Sequence, residues 1–153
     1  MFLPRENCHV ARRPLFFVCR RRRRAADGRD VDDFFRTSGG KLATIDLDQE
    51  VCWTSPLIDI QGVTASASAD LTWIGLDNDP LDYIDFLYSI DAGPFVQLPN
   101  QVGGGTHTIE FTTTMDNMGA TTVTASGLTG NSLQVRICVS TNANAELVTI
   151  DNV

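Results

Sequence analysis

Three carboxylates fall at alternate positions in Asp46-Leu47-Asp48-Gln49-Glu50, a spacing that puts them on one face of a continuous strand. Oxygens gathered in this way suit calcium, which takes roughly six to eight hard oxygen ligands, some from backbone carbonyls. A pair of carboxyl groups at about 5–9 Å is also what a glycoside hydrolase needs for its acid and its nucleophile or base. Without any chemistry, the same run serves as a solvated strand edge. Against the hydrolase, residues 42–153 offer no long loops from which to build a substrate cleft. A second acidic group, Asp77-Asn78-Asp79-Pro80-Leu81-Asp82, carries a proline and reads as a soluble turn.

Nucleophilic catalysis needs a base beside a serine or cysteine. From residue 42 onward the only histidine is His107, in the alternating run 107–113, where it shares the inward parity of Ile109 and Phe111. Such a histidine is structural, and no His/Cys group has the spacing of a zinc site. The expectation is a protein that is not an enzyme.

Of the cysteines, Cys8 and Cys19 lie in the basic N-terminal stretch, while Cys52 and Cys138 lie in alternating runs. Cys52 sits between inward Val51 and Trp53, and Cys138 between inward Ile137 and Val139, so both point outward. Outward cysteines cannot form an inter-sheet bridge of the immunoglobulin kind. Two readings remain: a Cys52–Cys138 disulfide between neighbouring strands of one sheet, or two surface thiols. Free surface thiols are disfavoured in an oxidising space, so the disulfide is preferred. Closing so long a loop stabilises by about 4–5 kcal/mol in the chain-entropy model.

Sugar recognition uses exposed flat rings. Alternation sends Trp53, Trp73, Phe86, Tyr88 and Phe111 to the core, leaves Tyr83 outward, and puts Phe95 beside a turn. Tyr83, with Asp85 on the same face of its strand, is therefore the expected ligand-binding pair.

The elements that must position these residues are strands. Period-two alternation runs from Thr64 to Ile74, from Tyr83 to Ile90 and from Leu133 to Ser140. Shorter strands are predicted over 42–47, 50–54, 57–60, 95–98, 107–113, 121–126 and 147–150. Asp91-Ala92-Gly93-Pro94 reads as a tight hairpin, with longer glycine turns at 103–105 and 127–131. No window after residue 41 carries helical periodicity. One-sided alternation in so many short strands predicts a two-sheet antiparallel β-sandwich, of jelly-roll type.

Charge divides the chain in two. Residues 1–41 hold 11 of the 12 Lys and Arg against 5 acids, a net +6. Residues 42–153 hold Arg136 alone against 14 acids, a net −13 that repels phosphate backbones and excludes nucleic acid. The run Arg20–Arg24 repels itself and buries nothing, so residues 1–36 are expected to be disordered and outside the domain at 42–153. No apolar run nears the roughly 20 residues that span a bilayer, which predicts no membrane insertion. The arginines follow the short apolar run Leu15–Val18, the reverse of a signal-peptide order, as in a fragment or a misplaced start.

Trp53-Thr54-Ser55-Pro56-Leu57-Ile58-Asp59-Ile60, Asp82-Tyr83-Ile84, Tyr88-Ser89-Ile90-Asp91-Ala92-Gly93, Gly130-Asn131-Ser132-Leu133-Gln134-Val135-Arg136-Ile137 and the closing Ile150-Asp151-Asn152-Val153 form one pattern. It resembles jelly-roll modules in secreted multidomain proteins of marine and Bacteroidetes-like bacteria. The resemblance covers about residues 42–153. It departs at Ala92, where the hairpin usually has glycine, and at Val153, where the strand usually continues. It implies an accessory or adhesive unit of a secreted or cell-surface protein, with glycan or neighbouring domains as partners. It also implies a structural calcium tying first strand to last, with Asp46, Asp48 and Asp151 as ligands. The function expected is a non-catalytic binding module for carbohydrate, with a purely structural spacer as the alternative.

Overall fold

The computed structural model describes residues 40–45, 47, 49–76, 81–111, 118–143 and 145–153, with the backbone of three strands before them. Those three are β1 (Cys8–Val10), β2 (Phe17–Cys19) and β3 (Phe34–Ser38). β1 pairs with β2, whereas β3 pairs with β4 (Lys41–Ile45), so the five-stranded sheet reaches back to Phe34. The expected disorder of residues 1–36 otherwise falls outside the described residues, as do Asp46, Asp48 and 77–80.

After β4 come β5 (Val51–Thr54), β6 (Ile58–Asp59), β7 (Ala65–Ile74), β8 (Tyr83–Ile90), β9 (Val96–Gln97), β10 (Ile109–Glu110), β11 (Met118–Leu128), β12 (Ser132–Ser140) and β13 (Leu147–Asp151). One sheet runs β11-β7-β13-β4-β3, and the other β10-β8-β12-β5 with β6 on β12 and β9 on β8. The protein is an all-β antiparallel sandwich, as the alternation predicts. Take β4, β5, β7, β8, β10, β11, β12 and β13 as eight successive strands. The first, eighth, third and sixth share one sheet, and the second, seventh, fourth and fifth share the other. That order is a jelly roll.

The inward parities meet between the sheets. Ala69, Leu71 and Trp73 from β7 and Val123 and Ala125 from β11 face Ile84 and Phe86 from β8 and Val135 and Ile137 from β12. Trp73 and Phe111 make an edge contact, with ring centroids 5.3 Å apart. Gly119 lies opposite Trp73 in the β11–β7 ladder. A Cβ there would come within 2.5 Å of the indole, so only glycine lets the strand cover that ring.

The predicted 42–47 and 50–54 strands appear as β4 and β5. The 42–47 and 50–54 segments belong to different sheets, β4 pairing with β13 and β5 with β12. The chain thus crosses from one sheet to the other between Ile45 and Val51, and of the three acids in this run only Glu50 lies among the described residues. Among the described residues of the 107–113 run, Ile109–Glu110 is strand. The chain bends through 103–108, so inward parity does not extend back to His107.

The predicted hairpin closes β8 onto β9. Asp91 and Ala92 both adopt left-handed φ, 51° and 57°, with the Gly93 N–H donating to Ile90 O at 2.9 Å. The Asp91 carboxylate accepts the N–H groups of Asn131 and Ser132 at 2.7 and 2.9 Å, fastening this turn to the one before β12.

Candidate binding face

The outer face of the β5-β12-β8-β10 sheet gathers side chains that sequence spacing scatters. The ladders place Cys138 opposite both Cys52 on β5 and Asp85 on β8. One row across the sheet is therefore Cys52, Cys138, Asp85. The neighbouring row holds Ser140, Tyr83 and Glu110, and two residues the other way lie Thr54, Arg136 and Leu87.

Cys52 and Cys138 are bonded to each other, their Cα atoms 4.0 Å apart. The preferred pairing is present, and it joins two strands 86 residues apart in sequence within one sheet. Beside it the Asp85 carboxylate is buried and fully engaged. Oδ2 lies 2.8 Å from His107 Nδ1, and Oδ1 accepts the Thr108 N–H at 2.9 Å. These bonds pull the 103–108 bend over the sheet and turn His107 outward, correcting its expected place in the core.

The His107 ring stacks on Tyr83, with centroids 3.6 Å apart and planes at 11°. The Tyr83 hydroxyl donates to Glu50 Oε2 at 3.0 Å. Burial, the hydrogen bond and charge of Glu50, and the charge of Asp85 push the Tyr83 phenol up to about 12, against a smaller lowering by Ser140. Tyr83 is thus a neutral donor throughout the physiological range. Further along the face, the Arg136 guanidinium carbon lies 3.8 Å from the Phe95 ring centroid, and its Nε donates to Thr54 Oγ1 at 3.0 Å.

Of the two expected ligand-binding residues, Tyr83 and Asp85 stand together on this face. Of the three expected metal ligands only Asp151 lies among the described residues. β13 runs antiparallel to β4 with Leu147 opposite Ile45, so Asp151 lies four residues, about 13 Å, from the end of β4 that leads into Asp46. There Asp151 bonds Lys41 at 3.0 Å. Among the described residues one group has its ligand atoms within 4.8 Å of one another, Glu50, Cys52 and Cys138, and its two sulfurs are already joined.

Sequence reasoning did not single out Glu50, His107 and Arg136 for this face. Two of them were within reach: Glu50 has the outward parity of Cys52, and Arg136 that of Cys138. His107 had no such signal, because a loop and not a strand delivers it. Comparison with protein-family models, curated proteins and solved structures returns no match.

Proposed function

We propose that this protein is a non-catalytic binding module of a secreted or cell-surface protein, holding a neutral glycan on the outer face of the β5-β12-β8-β10 sheet. One observation carries the reading: two flat platforms, Tyr83 on His107 and Arg136 on Phe95, stand on one face with polar groups at their edges. Tyr83 and Arg136 are four ladder positions apart, about 13 Å, which suits an extended oligosaccharide. Rings receive the apolar faces of sugars, and the Arg136 fork, the second nitrogen of His107 and the Glu50 carboxylate offer partners for hydroxyls. Asp85 and Glu50 fix the rings in advance, which lowers the entropic cost of binding. The acidic surface turns away sulfated or uronic ligands.

A non-catalytic role is supported by the disulfide, which ties up both sulfurs on the face and leaves no thiol nucleophile beside His107. That bond favours an oxidising compartment, and with the jelly-roll order it supports an accessory unit of a larger surface protein. A spacer is the second reading, favoured by a staple that stiffens the module between its neighbours. A neutral-glycan array separates the two. Binding by the native protein and at least tenfold loss in Tyr83→Ala support the glycan face, and an empty array supports the spacer.

A further inference from the structure

β11 is the longest of the described strands and stands at the end of its sheet. One side of it pairs with β7 from Met118 to Leu128, and among the described residues its other side pairs with nothing. The N–H and C=O groups along that side are a template for one more strand. The remaining sheet ends, β3, β5 and β10, are five, four and two residues long.

Proteins blunt an open edge with a charge, a proline or a short strand. Met118–Leu128 holds no charged residue and no proline. Its irregularity is a bulge between Ala125 and Leu128, which leaves Met118–Ala125 in regular register with β7. Thr121, Thr122, Val123 and Thr124 are β-branched, a type that packs well in cross-strand pairs. Ala120, Thr122 and Thr124 are exposed on the outer face.

Charge and symmetry indicate what pairs there. The chain is net −7, so two copies repel each other over most of their surface. At this edge they do not. The charge on β7 nearest to it is Asp70, opposite Thr122. Two copies joined edge to edge hold these carboxylates three strand spacings, about 14 Å, apart, which exceeds the roughly 8 Å screening length of physiological salt. An antiparallel strand is also its own complement under a two-fold axis. With that axis at Thr122, Thr122 faces Thr122, Ala120 faces Thr124 and Thr121 faces Val123.

We infer that β11 is a dimerisation edge, which joins a second copy of this chain antiparallel about Thr122 and makes the two five-stranded sheets continuous. The axis is perpendicular to the sheet, so the outer β5-β12-β8-β10 faces of both copies look the same way. The dimer stands without the glycan reading; with it, the two faces form a bivalent platform for one polysaccharide.

Sedimentation equilibrium of the full chain tests this. The native protein should dimerise with a dissociation constant of about 10–100 μM, as suits a small edge-to-edge interface. Ala120→Lys with Thr124→Lys sets lysine against lysine at two places and should weaken the dimer about tenfold. Ala120→Glu with Thr124→Lys sets glutamate against lysine at the same places and should return it to within about threefold of native. Both positions are exposed, so the monomer's melting temperature should hold in dilute solution. Hydrogen exchange on the native protein needs no variant: alternate amides from Gly119 to Ala125 should gain protection with concentration, and those of β5 should not. A native protein still monomeric at about 1 mM, its edge left to a strand of another protein, would overturn the inference. So would a dimer that the paired lysines leave unchanged, or that the glutamate–lysine pair fails to restore.

Discussion

Replacing both Cys52 and Cys138 with alanine will lower stability through the unfolded chain more than through the native one. The two residues are direct ladder partners, and β12 keeps its pairing with β5 through Arg136, Ile137 and Val139 whether or not the sulfurs are joined. The crosslink closes a loop of 86 residues. For that length the chain-entropy relation gives about 15 cal/mol/K, or about 4.6 kcal/mol at 25 °C. With about 2.1 cal/mol/K of unfolding entropy per residue over the sandwich, the melting temperature should fall by about 18 °C. Urea unfolding of the native and double-alanine proteins, each with and without a thiol reductant, is the assay. The variant should lose about 4–5 kcal/mol and show a larger m-value, because its unfolded chain exposes more surface. Reductant should bring the native protein to the variant's stability and leave the variant where it was. A loss below about 1 kcal/mol would refute the argument.

Four further outcomes follow from single contacts. Ala92→Gly relieves a left-handed alanine in the β8–β9 turn and should stabilise by about 0.5–1 kcal/mol in the same denaturation experiment. Gly119→Ala drives a methyl into the Trp73 ring and should cost about 1–3 kcal/mol, with a change in near-ultraviolet circular dichroism. Tyr83 has a folded pKa raised above its ordinary value. Its contribution is therefore complete below about pH 10 and lost as pH rises toward 12, so alkaline melting curves should show a loss that Tyr83→Phe abolishes. Asp91 lies below the usual carboxylate range because it accepts the Ser132 and Asn131 N–H groups, and Asp70 does so through Asn152 and Thr122. Both contribute above the unfolded carboxylate pKa and lose that contribution as pH falls through their folded values, so Asp91→Asn should flatten the acid limb of the stability curve.

How far the sequence carried the account depends on strand against loop. Alternation over Thr64–Ile74, Tyr83–Ile90 and Leu133–Ser140 placed Trp73 and Phe86 in the core, and with the 50–54 run it turned Cys52 and Cys138 outward. Period two needs only the pleat, and the pleat is local. It failed where connectivity decides. A shared face for the acids of 46–50 needs a continuous strand, yet between Ile45 and Val51 the chain leaves β4 in one sheet for β5 in the other. His107 was assigned by parity with Ile109, but Asp85, 22 residues earlier, holds it outward. The distance of Asp151 from the end of β4 follows from antiparallel register, which no single strand's pattern contains.

The central claim is that the outer face of the β5-β12-β8-β10 sheet is where a ligand sits. Mapping amide and side-chain NMR shifts during titration with a neutral oligosaccharide tests it most directly. The account predicts saturable shifts at Tyr83, Asp85, His107 and Arg136, with at least tenfold weaker binding in both Tyr83→Ala and His107→Ala. Shifts confined to the β4-β13-β7-β11 sheet, or binding that survives both substitutions unchanged, would contradict it.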